Sequence, residues 1–257
     1  MSSSWIKSLS LTKSDEQQLA AGGELTADLI YSGQLLMKRL YPSQNGLQDT
    51  SYLAEKVWHS KPFKFVQVIY VKSRHWACLS NKFTSEENEV ELFDSLRTKS
   101  PDHSILSQAS TILQSKANKI KLKMVNVQQQ SGSSDCGLFA LAFAYDLCSD
   151  VDPFTKVYLQ SKMRSHFNEC LISEKIVPFP SQKSNKQSRI ASETEIGIFC
   201  TCRQPESLPM ACCDGCMEWF HPTCVPIPDE IFSNSSAKWS CHSCCANKSP
   251  STDITGT

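Results

Sequence analysis

Residues 128–148 read QQQSGSSDCGLFALAFAYDLC, and the fold of the chain turns on this stretch. A polar run of Gln, Ser and Gly, expected to be flexible, stops at Asp135. Cys136 follows at once, and 138–147 is almost wholly apolar. Gly132 and the serines around it suit a tight, adaptable turn. A segment apolar on every side predicts a helix buried all round rather than a surface helix. Cys136 would then stand in its first turn, at the positive end of the macrodipole, where thiolate is favoured over thiol. A cysteine beside an apolar helix is more often core filling than nucleophile, so the neighbours decide. His75 in SRHWACLS and Asp94 in VELFDSL ride on alternating, strand-like segments, and Gln130 lies six residues before the cysteine. A thiol, an imidazole to deprotonate it, a carboxylate to orient the imidazole and an amide for an oxyanion form one complete set.

The order His75-Trp76, Asp94-Ser95, then Gln130 and Asp135-Cys136-Gly137 resembles the Ulp/SENP family of ubiquitin-like-protein-specific cysteine proteases. The resemblance covers 1–180, with one departure: the loop glycine, Gly132, stands one place earlier than the family usually has it. It implies an α+β, papain-like core, a central mixed sheet flanked by helices. It also implies His75 as general base, Asp94 as its orienting carboxylate, Gln130 as oxyanion donor and Cys136 as nucleophile. Trp76 would cover a narrow tunnel for the modifier's Gly-Gly tail; the plain alternative is a core aromatic on a strand. No cofactor is implied for this domain, and its partner would be a ubiquitin-like modifier and its conjugates, SUMO-like first. Residues 25–30, LTADLI, resemble the family's early helix.

A chain of 257 residues holds one sizeable domain and one small one. Lys plus Arg and Asp plus Glu both number 26, so neutral net charge argues against direct nucleic-acid binding or attraction to acidic membranes. Four of the 13 cysteines are scattered, while nine crowd between Cys200 and Cys245, which is metal-site spacing rather than a disulfide framework. The N-terminal residues lack a signal-like apolar region and no apolar run reaches membrane-spanning length, so an intracellular, reducing compartment is expected.

Helices are expected at 14–22 and 24–41, the first with a Ser14 to Gln17 capping box, and at 104–119 and 161–175. Strands are expected at 63–71, 75–79, 89–96 and 120–127. Residues 181–195 lie in a polar, aperiodic stretch and read as a flexible linker, and 247–257 as a disordered tail.

Residues 196–246 carry Cys200-x-Cys202, Cys213-x₂-Cys216, His221-x₂-Cys224 and Cys241-x₂-Cys244. Eight thiolate and imidazole donors suit two tetrahedral zinc ions, and about fifty residues need such metal to fold. The order, with Trp219-Phe220 ahead of the histidine and Trp239 before Cys241, resembles a PHD finger; a RING finger places its histidine one ligand earlier. The resemblance implies that Cys200, Cys202, His221 and Cys224 hold one zinc, and Cys213, Cys216, Cys241 and Cys244 the other. Cys212, His242 and Cys245 are adjacent spares. Many such fingers bind the histone H3 tail as an added strand. Phe199 and Trp219 fall at positions of a methyl-lysine cage, Met210 at a wall position, and Asp214 where it could pair with a basic tail residue. The alternative is that Phe199 and Trp219 only cover the metal sites. Trp239 is expected in the finger's core. A nuclear location follows from the finger.

Rival readings are a catalytically silent chromatin scaffold, and the same fold turned to another reaction or substrate. The latter covers ubiquitin, a Nedd-like modifier, a mobile-element polyprotein, or acetyl transfer as in related folds.

Overall fold

The computed structural model describes residues 3–60, 63–72 and 74–246, so the expected tail at 247–257 lies outside the described residues. The chain divides into two compact units at Ile196/Gly197. In the first, strand β1 (Ser4–Ile6) pairs with β2 (Leu11–Thr12), followed by helices α1 (Lys13–Ala20) and α2 (Ala27–Leu40). Next come β3 (Asn45–Gly46), α3 (Thr50–Ala54), β4 (Phe65–Val71), β5 (His75–Ser80), β6 (Glu89–Phe93), α4 (His103–Leu113) and β7 (Lys119–Val125). Helix α5 (Cys136–Cys148), β8 (Lys156–Tyr158), α6 (Gln160–Ser173), β9 (Ser181–Lys183) and the part of β10 (Ile190–Phe199) up to Ile196 complete it. The main sheet runs β3-β4-β5-β6-β7-β10 in this unit. Pairs β3/β4 and β6/β7 are parallel, and β4/β5 and β5/β6 between them antiparallel.

Helix α5 is the centre of the core. Every residue from Cys136 to Cys148 is buried, and the helix packs on β4, β5, α2 and α6. Its all-round apolarity is thus explained by neighbours on each side. Two glycines let α2 and α5 approach. A Cβ on Gly137 would stand 3.0 Å from both Ile30 Cδ1 and Leu25 Cβ, and one on Gly33 2.7 Å from Leu141 Cδ2. Each helix thus yields a side chain where the other presents one, and α2 rests on the turn that carries Cys136.

The start of α1 differs from expectation. Its capping box is Thr12 with Asp15, and Ser14 lies inside the helix. Asp15 Oδ2 accepts from Thr12 N at 3.0 Å, while Oδ1 accepts from Thr26 Oγ1 at 2.8 Å. Thr26 in turn caps α2. A carboxylate that serves two helix starts outcompetes a serine that would serve one.

Residues 181–195 are not a free linker. Residues 181–183 pair with β8, and β10 runs beside β7. Between them, Arg189 is bound to both oxygens of the buried Glu91 and to Asp152, and Lys186 donates to the Asn126 and Val127 carbonyls. The anchors are charges and backbone groups, so the segment has no apolar period to read.

In the second unit, β11 (Gln204–Pro205) pairs with Ile198 and Phe199, and β12 (Ala211–Cys212) with β13 (Trp219–Phe220). Short helices α7 (Glu230–Ser233) and α8 (His242–Ala246) follow. Phe220 meets Trp239 edge-on at 5.6 Å, placing Trp239 in the finger's small core as expected. Among the described residues, no helix is long and apolar enough to cross a membrane.

Candidate active site and metal clusters

His75 opens β5 and Asp94 follows β6, so two neighbouring antiparallel strands bring them to one end of the sheet. His75 Nε2 donates to Asp94 Oδ1 at 2.6 Å, and the same oxygen accepts from Leu96 N at 2.8 Å. The carboxylate therefore holds the proton on Nε2 and leaves Nδ1 as the acceptor. Nδ1 is buried and, among the described residues, has no partner besides Cys136. Burial alone would lower the pKa of His75. The hydrogen bond to Asp94, and then that to Cys136, outweigh it and push the pKa up to about 9. Imidazole, carboxylate and thiol are thus brought together.

The glutamine run is locked rather than flexible. Gln128 exchanges two hydrogen bonds with the backbone of Tyr158. Gln129 donates to the Asp94 carbonyl at 3.0 Å and accepts from Arg97 N at 2.9 Å. Gln130 accepts from Ser95 Oγ at 2.7 Å, and its Nε2 donates to the Gly132 carbonyl at 3.0 Å. Three consecutive side chains therefore tie the approach to Cys136 onto β8 and onto the loop bearing Asp94. Polar composition reads as flexible only until partners are known. Gly132 has φ +73° with open space around it, so the left-handed turn is met by the residue best suited to it.

Trp76 is buried; its Nε1 donates to the Leu25 carbonyl at 3.0 Å and its ring lies 4.8 Å from that of Tyr70. Sequence reasoning missed Gln129, Gln160 and Arg164. Gln160 and Arg164 both reach Asp135 from α6. Only their i, i+4 spacing on that helix could have pointed to a shared target.

In the finger, the donor atoms of Cys200, Cys202, His221 and Cys224 lie within 4.8 Å of one another, as do those of Cys213, Cys216, Cys241 and Cys244. The sets interleave along the chain as the resemblance implied. His221 Nε2 lies 3.2 Å from the Pro205 carbonyl and Nδ1 3.3 Å from Cys202 Sγ, so Nδ1 is the nitrogen presented to the cluster. Burial raises the Cys213 thiol, but the Cys241, Cys216 and Gly215 backbone N–H groups bring its pKa down to about 6. Cys212, His242 and Cys245 belong to neither set.

Of the tail-binding candidates, Trp219 is exposed and Met210 buried. Phe199 is half-buried, and its ring covers Gly197. Asp214 is exposed, with one carboxylate oxygen already accepting from Trp239 N at 2.7 Å.

Residues 36–187 match the family model described as YopJ serine/threonine acetyltransferase, more than half of the chain. The chain belongs to this family. Residues 200–244 match the PHD-finger model. Among solved structures, the C-terminal Ulp1 protease domain in complex with Smt3, the yeast ortholog of SUMO, aligns with TM-score 0.50 at 14% identity, over 64% of this chain and 83% of that one. The SUMO protease Ulp1 with its catalytic cysteine oxidized to a sulfenic acid gives 0.53 at 16%, over 65% and 85%. The acetyltransferase-family domain thus has the Ulp1-like fold, joined to a C-terminal PHD finger. Two curated Schizosaccharomyces pombe proteins also match. Multicopy suppressor of chk1 protein 1 is 33% identical over 63 residues, and Set1 complex component spp1 40% over 48. These alignments take in 24% and 18% of this chain and span only 4% and 11% of the relatives' lengths.

Proposed function

We propose that the first unit is a cysteine-type isopeptidase and processing protease that releases a ubiquitin-like modifier, SUMO-like first. The observation that carries this reading is the buried His75 set between Asp94 and Cys136 at the start of α5. His75 takes the thiol proton through Nδ1, and Cys136 Sγ attacks the carbonyl carbon of the modifier's terminal glycine. The oxyanion is met by the Cys136 N–H and the second amide proton of Gln130, whose first is used on Gly132. Loss of such a donor costs about a hundredfold in rate. His75 then protonates the leaving amine, and water, deprotonated by His75, clears the thioester. Asp94 keeps the ring oriented and stabilises its charged form. Trp76, fixed by its bond to Leu25, forms the wall of a channel that passes only glycine-sized residues.

The finger holds one zinc ion in each cluster. Thiolate and imidazole donors within 4.8 Å fit this, since bonds of about 2.3 Å in a tetrahedron leave sulfurs about 3.8 Å apart. The ions supply cross-links for a unit with little apolar core of its own. In this reading Trp219, exposed and two residues before His221, receives a lysine of a histone tail, which would hold the enzyme near chromatin in the nucleus. Titration of methylated and unmodified H3 peptides against wild type and Trp219→Ala tests this; equal affinities would remove the cage.

A second reading, favoured by the family match, keeps the nucleophile and changes the acyl group: Cys136 takes acetyl from a thioester donor and passes it to a hydroxyl. One experiment separates the two. Wild type and Cys136→Ala are incubated with SUMO types, the Nedd-like modifier and ubiquitin, each ending in a thiol-reactive electrophile, and in parallel with a labelled acetyl thioester. A modifier adduct lost in the variant supports the protease. Acetyl label at Cys136 without a modifier adduct supports acetyl transfer, and neither leaves a scaffold.

A further inference from the structure

Asp135 directly precedes the nucleophile and is the N-cap of α5, yet its side chain does not cap the helix. An aspartate there ordinarily turns back and accepts from the N–H groups of the first turn, with its own backbone extended. Here the backbone is not extended, with φ −99° and ψ 5°, and the carboxylate is drawn off by α6. Oδ1 accepts from Arg164 Nη2 at 2.5 Å and Oδ2 from Gln160 Nε2 at 2.8 Å. Arg164 is itself braced by the Gly23 and Leu19 carbonyls at 3.0 and 3.3 Å, and Gln160 grips Ser131 N and O at 2.9 and 2.8 Å. One face of α6 thus clamps both ends of the loop that delivers Cys136.

We propose that Arg164, assisted by Gln160, is a positioning residue that holds the Asp135 carboxylate away from the first turn of α5. A capping carboxylate would occupy the N–H groups that a thiolate and an oxyanion need, and would set a second negative charge beside the sulfur. A guanidinium fork suits the task because it neutralises the charge and fixes the direction of the carboxylate at once. The proposal rests on Cys136 being the nucleophile but not on which acyl group it carries.

The test uses the whole 257-residue, zinc-loaded chain. Iodoacetamide labelling of Cys136 is timed by peptide mass spectrometry in wild type, Arg164→Met, Asp135→Ala and the double variant. Loss of the cation alone is expected to slow labelling about tenfold or more, because the freed carboxylate then caps the turn. Asp135→Ala alone, and the double variant, should remain within about threefold of wild type, since no side chain is left that can cap the turn or place a charge beside the sulfur. A purely structural role predicts the opposite order, with the double variant at least as slow as Arg164→Met. That order, or an Arg164→Met variant as fast as wild type, overturns the proposal. If Arg164→Met does not fold, Arg164→Lys replaces it: labelling should slow severalfold and recover when Asp135→Ala is added, and no recovery overturns the proposal. Labelling by the modifier electrophiles, read separately, reports on the protease reading alone.

Discussion

Replacement of Arg189 by methionine tests whether 181–195 belongs to the first unit. The guanidinium binds both oxygens of Glu91, whose side chain is 1% exposed, and also Asp152. Without it, the Glu91 carboxyl is left buried in the sheet with no bidentate partner. Removing one member of a buried pair costs about 3–5 kcal/mol. Arg189 itself is 28% exposed, so the lower end, about 3 kcal/mol, is expected. With a urea slope of about 2 kcal/mol per molar, the unfolding midpoint falls by about 1.5 M. The two units need not unfold together, so hydrogen exchange of peptides from β6 and β10 at each urea concentration is the suitable readout. Adding Glu91→Gln should return at least half of the loss by removing the stranded carboxyl. A fall below about 0.3 M would mean that Glu91 is readily hydrated without its partner, and that residues 184–195 are the loose tether their composition suggests.

Three further outcomes follow from the geometry. The His75 pKa is raised from 6.5 to about 9, so its ion pairing stabilises the fold fully below about pH 6.5 and is lost as pH rises through about 9. The stability difference between wild type and His75→Gln should shrink by on the order of 3 kcal/mol between about pH 6 and pH 10 in urea titrations; a constant difference would contradict the pairing. Zinc analysis should give about two ions per chain, falling by one in Cys202→Ser and unchanged in Cys212→Ser, since only Cys202 lies in a donor set. Gly137→Ala places a methyl 3.0 Å from Leu25 Cβ and Ile30 Cδ1. Overpacking of about 1–3 kcal/mol is partly offset by alanine's helix preference, so thermal unfolding should show a net loss of about 1 kcal/mol.

The candidate site was legible because the chemistry proposed for it calls for residue types that few other roles require together. His75, Asp94, Gln130 and Cys136 were found from identity and order, and the eight finger donors from spacing. What stayed hidden was how these residues are held. The glutamines at 128–130 read as flexible because each side chain bonds to a residue 30 or more positions away. Arg164 reads as one charge on an amphipathic helix until α6 is packed against the Cys136 loop. The capping box moved from Ser14 to Thr12 because Asp15 had a second partner, Thr26, that no local pattern reveals.

The sequence by itself determined the buried helix that begins at Cys136, the set of residues proposed as a thiol site, and the two interleaved donor sets. Local polarity, residue order and ligand spacing are properties of the covalent chain. Tertiary structure alone decided that 181–195 is part of the first unit, that His75 offers Nδ1 to Cys136, and that the Asp135 carboxylate points away from its own helix. Each of those depends on a hydrogen bond or ion pair between residues far apart in the chain, and such a bond exists only when folding has brought both partners into place.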